Sequence, residues 1–247
     1  MMAFCATAQD LYIGSFYVTS TSEEGSLGDG KDKWETRRTQ IYNMFKFELP
    51  DVLGLQSLTA AQLSQMRINM SYYAAGDILY NKSLELDTCN TVTDMPEGCT
   101  CSWARLKKDG TPFYVFNFCF TPDNATTATT RLLSAISGIN EENLPSFAVG
   151  YLGVKETGTA YTRLMTKFYD CYTKATIKSA EFGTVNNFDL ENNHGTDRFD
   201  FVMASKNVTI KAYGQLQYGY FTKESDNTYK RRQLSAHFPV MAKVTLP

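Results

Sequence analysis

The side chains here best suited to nucleophilic, redox or soft-metal chemistry are six cysteines and two histidines. Cys99-x-Cys101 is the one close cysteine pair, and His194 and His237 lie far from it and from each other, so a structural zinc site is not expected. The pair cannot close comfortably on itself, but either thiol could reach Cys89 if the segment between them forms a hairpin. Cys119 sits in the apolar run Pro112–Thr121, where a thiol reads as a small core hydrophobe. An activated thiolate would need a basic neighbour. His194 stands among asparagines in a polar stretch, Asn186–Thr196, and reads as a solvated loop residue. With 24 Lys and Arg against 26 Asp and Glu, the formal charge of −2 creates no field for gripping a polyanion, and nucleic acid is not favoured as a partner.

The elements that must position such residues are readable from periodicity. At 247 residues the chain can bury about three quarters of its unfolded surface. No linker divides it, so 9–247 is expected to be one domain. No apolar run is long enough to span a membrane. Residues 1–8 resemble the end of a secretory signal, with Ala6 and Ala8 fitting a small-residue cleavage pattern. An exported setting is therefore expected, one that permits disulfides; cleavage would remove Cys5 and leave an odd number of thiols.

Pro50–Ser57 is the organising stretch: four apolar residues in six, entered through proline, predict a central strand buried on both faces. Before it, Leu11–Thr19 reads as a strand, Ser20–Lys33 as a loop, and 33–49 as a helix with Trp34, Ile41, Met44 and Phe45 on one face. After it, Thr59 caps a helix through Met66, and residues 72–82 form a hairpin about Gly76-Asp77. Leu84–Cys101 is the least regular part. Strands are expected over 102–107, 112–121, 144–153, 198–205 and 234–242, with helices near 126–140 and 159–168.

In order and spacing these segments resemble the endonuclease/exonuclease/phosphatase family, the DNase I-like hydrolases. Pro50-Asp-Val-Leu-Gly-Leu-Gln-Ser57 resembles that family's Pro-Asp-Val-Leu-Gly-Leu-Gln-Glu strand, and Arg198-Phe-Asp-Phe-Val-Met-Ala-Ser205 its Arg-Ile-Asp-Tyr-Ile-Phe-Val-Ser. Ser235-Ala-His-Phe-Pro-Val240 resembles its Ser-Asp-His-x-Pro-Val. The resemblance implies an α/β (α+β) protein, a four-layer α/β/β/α sandwich of two mostly antiparallel sheets with outer helices, made of two similar halves, 11–108 and 112–246. It also implies a cleft containing Tyr17, Arg37, Gln56, Ser57, Asn117, Cys119, Tyr151, Gly153 and Ala236 beside a surviving dyad, His237 and Asp200. For Arg37 the plainer reading is a helix salt bridge or a stem lying along the sheet. The stretch 84–101 is shorter than the family's loop, so one wall of the cleft is expected to be missing.

Where the family has metal-holding or phosphate-contacting groups, this chain departs. Ser57 replaces the metal-binding glutamate, Tyr17 an asparagine, Cys119 a histidine and Thr121 an aspartate. Tyr151 and Ala236 replace aspartates, and Gly153 an asparagine. Magnesium needs oxygen ligands, so no cofactor is expected. A general-base dyad alone contributes about 10²- to 10⁴-fold, against about 10¹⁷-fold or more for phosphate-ester hydrolysis. The expected function is a binding or interaction module on a phosphoesterase scaffold, its cleft lined by Tyr17 and Tyr151 for a glycan or nucleotide. The alternatives are a divergent hydrolase holding Mg or Mn through Asp29, Asp32 or Asp123, and a structural module with a vestigial cleft.

Overall fold

The computed structural model describes residues 9–24, 30–180, 182–189 and 195–247. The expected signal remnant with Cys5, and also Asp29 and His194, lie outside the described residues. In chain order the elements begin β1 (Asp10–Tyr17), α1 (Trp34–Glu48), β2 (Val52–Gln56), α2 (Ala60–Met70), β3 (Tyr73–Ala75), β4 (Ile78–Tyr80), β5 (Glu85–Thr91) and β6 (Thr100–Lys108). They continue with β7 (Thr111–Cys119), α3 (Ala125–Ile139), β8 (Ser146–Tyr151), α4 (Thr159–Lys167), β9 (Phe168–Asp170) and α5 (Cys171–Lys174). The chain finishes with β10 (Ile177–Ser179), β11 (Asp200–Ser205), β12 (Thr209–Gln215), β13 (Gly219–Lys223), β14 (Tyr229–Gln233) and β15 (Val240–Thr245).

Two sheets stack face to face. One has strand order β10-β12-β15-β1-β2-β4-β3 and the other β5-β6-β7-β8-β11-β9, with β13 and β14 forming a separate hairpin. Within the two stacked sheets the parallel pairs are β1/β2, β7/β8 and β10/β12, and the remaining pairs are antiparallel. The sheets do not split the chain at its midpoint: β5 and β6 join the second sheet, while β10, β12 and β15 return to the first.

Three apolar layers hold this arrangement together. Between the sheets lie Ile13, Val52, Ile78, Phe113, Val115, Phe147, Val202 and Val244. Outside the first sheet, Ile41 and Phe45 of α1 and Met66 of α2 pack on Phe16, Leu53 and Leu55. Outside the second, Leu132 and Ile136 of α3 and Leu164 of α4 cover Phe116, Phe118, Phe201 and Met203. The expected α/β/β/α sandwich is the one observed.

The organising strand lies where the sequence puts it, and every residue of β2 is buried. Gly54 is required there by a close approach: a Cβ at that position would lie 2.5 Å from both Asn117 Oδ1 and Val149 Cγ2 of the facing sheet. Thr59 caps α2 through a reciprocal capping box with Gln62. That helix continues past Met66 because Met70 also turns inward and is buried.

Three expectations need correction. Residues 85–91 form a strand, overlooked because all seven are exposed and show no apolar alternation. With β6 it makes a hairpin, so the supposedly missing wall is present. Its register sets Cys89 opposite Ala104 rather than Cys99 or Cys101, and Cys89, Cys99, Cys101, Cys119 and Cys171 are all free thiols. Finally, the last strand starts at Val240, not Leu234. Pro239 lacks an amide donor for a ladder, and among the described residues the segment before it pairs in strand fashion at the isolated bridge Val185–His237.

Candidate functional site

Four strands end together on one side of the sandwich. Tyr17 and Gln56 are register partners at the ends of the parallel pair β1/β2, and Cys119 and Tyr151 at the ends of the parallel pair β7/β8. Asp200 opens β11 directly opposite Tyr151. Carboxyl ends of strands are where open α/β sheets present side chains to a crevice. His237 arrives on the loop before β15.

The dyad is formed. His237 Nδ1 lies 2.8 Å from Asp200 Oδ2, and both residues are buried. The Thr184 hydroxyl accepts the Asp200 amide at 3.2 Å, while Asp200 Oδ1 has no hydrogen-bond partner among the described residues. The Ser235 hydroxyl donates to the Tyr17 carbonyl at 2.6 Å, tying the histidine loop to the end of β1.

The space in front of the imidazole is filled. The Tyr17 ring stacks on His237 with centroids 4.1 Å apart and planes 14° from parallel. Tyr151 meets Tyr17 edge-on at 5.0 Å and His237 edge-on at 5.3 Å. These contacts are favourable aromatic geometries, so the three rings support one another. The stack commits one face of Tyr17 to the imidazole, and both tyrosines remain half-buried. Burial pushes the phenol of Tyr17 up and that of Tyr151 to about 12, so both stay neutral.

Glu23 is the residue that sequence reasoning missed. It accepts the Tyr17 hydroxyl at 2.9 Å on one carboxylate oxygen, and the Ser57 hydroxyl at 2.5 Å and the Ser20 amide at 3.1 Å on the other. The available signal was the Ser20-x-x-Glu23 spacing, the same reciprocal pattern that caps helices. Asp77, in the turn between β3 and β4, was also missed as a site residue. Its carboxyl accepts the Ser102 hydroxyl, and burial raises its pKa.

Other expected cleft residues turn inward. Gln56 Nε2 donates to Asn117 Oδ1 at 2.6 Å, Gln56 Oε1 accepts from Ser15 at 3.2 Å, and Asn117 Nδ2 donates to the Leu55 carbonyl at 2.8 Å. Both amides are thereby committed to holding strands together. Arg37 does not face the cleft: it is fully buried and donates to the carbonyls of Val18, Thr19, Asp32 and Leu234 at 2.6–3.0 Å. Gly153 serves the backbone, with φ of +76° and a Cβ position 2.7 Å from the Phe120 carbonyl. Ala236 is buried and places its carbonyl on the Asn186 amide at 2.7 Å. Cys119 lies at the meeting of the tyrosines with the rest of the cleft. Burial, and after it the Asp200 carboxylate, pushes its thiol up to about 12, which leaves it inert near neutral pH.

The metal that this kind of scaffold implies does not fit these residues. Among the described residues no three His, Cys, Asp or Glu side chains converge as a metal site. A cation beside Glu23 would have to displace three hydrogen-bond donors already aimed at its oxygens. Of the candidates weighed from sequence, Asp32 faces Arg232 at 3.6 Å and Asp123 is exposed just ahead of α3.

Comparison with solved structures decides what scaffold this is. An endonuclease/exonuclease/phosphatase family protein from Bacteroides thetaiotaomicron superposes with a TM-score of 0.86 at 21% identity, covering 98% of this chain and 99% of that one. The chain has the endonuclease/exonuclease/phosphatase fold. A mannosyl-6-phosphatase of Bacteroides thetaiotaomicron VPI-5482 shares this fold with a TM-score of 0.84 and 22% identity over 95% of this chain and 99% of that chain. The human Nocturnin catalytic domain, solved with bound sulfate, matches at 0.71 and 12% identity over 98% and 97%. No protein-family model matches the sequence, and no curated protein matches it.

Proposed function

We propose that this chain is a degenerate member of the endonuclease/exonuclease/phosphatase family, exported from the cell, that binds a ligand in its cleft and has lost metal-dependent phosphoesterase activity. One observation carries the reading: the Tyr17 ring covers the face of His237 at 4.1 Å, with Tyr151 packed against both. A phosphate ester and its metal would need that volume. The polar groups that remain, Gln56, Asn117 and Glu23, are bonded to the protein itself. Without Lewis-acid stabilisation, the dyad's share of about 10²- to 10⁴-fold leaves hydrolysis too slow to matter.

The competing reading is a working phosphatase, like the mannosyl-6-phosphatase that shares the fold. Magnesium and manganese titrations by calorimetry, with hydrolysis of bis(4-nitrophenyl) phosphate and mannose 6-phosphate, separate the two. The expected result is no saturable metal binding and no turnover above that of His237→Ala. Metal-dependent turnover that His237→Ala abolishes would overturn the proposal.

A further inference from the structure

Beside the tyrosines the cleft is open. A cavity of about 530 Å³ lies between the end of β2, the end of β7 and the hairpin β5–β6. That volume is in the range of small-molecule sites. Gln56, Ser57 and Cys119 line one side, and Asp77 and Ser102 another. Leu55, Leu58, Val92 and Met95 supply apolar surface.

The charge of the lining is one-sided. No lysine, arginine or histidine is among the described residues that line the cavity, and Asp77 is its one acidic side chain. Glu23 adds a second carboxylate at the edge, on the Ser57 hydroxyl. A bound phosphate would face the Asp77 carboxyl, with Glu23 behind Ser57 and no cation in the lining to offset them, which disfavours it. A hydroxyl or ammonium donor would instead meet the Asp77 carboxyl, which lies partly away from water beside the Ser102 hydroxyl and gains from such a partner.

Resting on the binding role proposed above, we infer that this cavity takes a sugar-sized polyol bearing hydroxyl or amine donors and no anionic group, anchored on Asp77. The ligand of the cleft is thus opposite in charge preference to a phosphate ester. Thr93, exposed just after β5, lines the cavity on the hairpin side.

The test is titration calorimetry of the full chain with glucosamine, glucose and glucosamine 6-phosphate as probes. Glucosamine is expected to bind at least about tenfold more tightly than its 6-phosphate. Asp77→Asn should weaken glucosamine about tenfold or more, and Thr93→Trp, which fills the mouth from an exposed position, should abolish binding. The inference is overturned if the phosphorylated probe binds as well as glucosamine, if Asp77→Asn or Thr93→Trp leaves affinity unchanged, or if neither unphosphorylated sugar binds. Phosphorylated probe bound without turnover sinks this inference alone, whereas metal-dependent release of phosphate sinks the functional reading beneath it.

Discussion

The two sides of one cleft have been treated in opposite ways. On the β1/β8 side, Tyr17, Tyr151 and His237 fill the space with rings that touch each other. On the β2/β7 side, small residues, Ser57 and Cys119, leave a cavity that the β5–β6 hairpin walls in. The same kind of position, the last residue or two of a parallel strand, gives closure or opening according to side-chain volume alone. One half of a cleft can therefore be packed while the half beside it stays open, because packing one half does not oblige the other to collapse.

The closed side should be the harder to disturb. Arg37 pins its backbone by bonding the carbonyls of Val18, Thr19 and Leu234, which flank Tyr17 and lead to His237. Arg37→Met leaves those buried acceptors and Glu24 without their cation, and should cost about 3–5 kcal/mol in urea unfolding while the cavity side keeps its shape. A loss below about 1 kcal/mol would mean that the closed side is not held this way.

A smaller effect is expected from Tyr17→Ala, which removes the stack on His237 and the edge contact with Tyr151. About 2 kcal/mol should be lost, with His237 becoming reactive to diethyl pyrocarbonate. If His237 modifies equally fast in the parent protein, the ring does not cover it and the contrast between the two sides fails.

The smallest effect concerns the open side and depends on pH. Burial raises the Asp77 pKa, so ionising it opposes folding: its favourable contribution is present in acid and lost as pH rises through the folded-state value. Asp77→Asn should match the parent near about pH 3.5 and become the more stable of the two by about pH 7. Chemical denaturation at a series of pH values reads this directly. A gap that is constant or reversed would show that the cavity wall does not penalise charge.

Much of the scaffold was legible because local patterns agreed with the final packing. Val52–Gln56 is apolar enough to be central whatever surrounds it, and Trp34, Ile41, Met44 and Phe45 are spaced for one buried helix face. The pairing of Asp200 with His237 was legible too, although only through resemblance, since the two residues lie on separate segments. By contrast β5 was hidden because its residues are all exposed. Arg37 was placed in the cleft by position, while its surroundings bury it. Glu23 was passed over because a loop glutamate gains meaning only from what the loop folds onto.

By itself the sequence determined which strands are buried and that positions 57, 151 and 236 carry no carboxylate, since burial pattern and residue type are local properties. Only the tertiary structure decided that Tyr17 and Tyr151 pack on His237, that Glu23 takes hydroxyls from both Tyr17 and Ser57, and that Asp77 lines an open cavity. Those outcomes depend on where side chains from distant strand ends meet, and the direction and free volume at such meetings are set by the packing of the two sheets, not by any single stretch of chain.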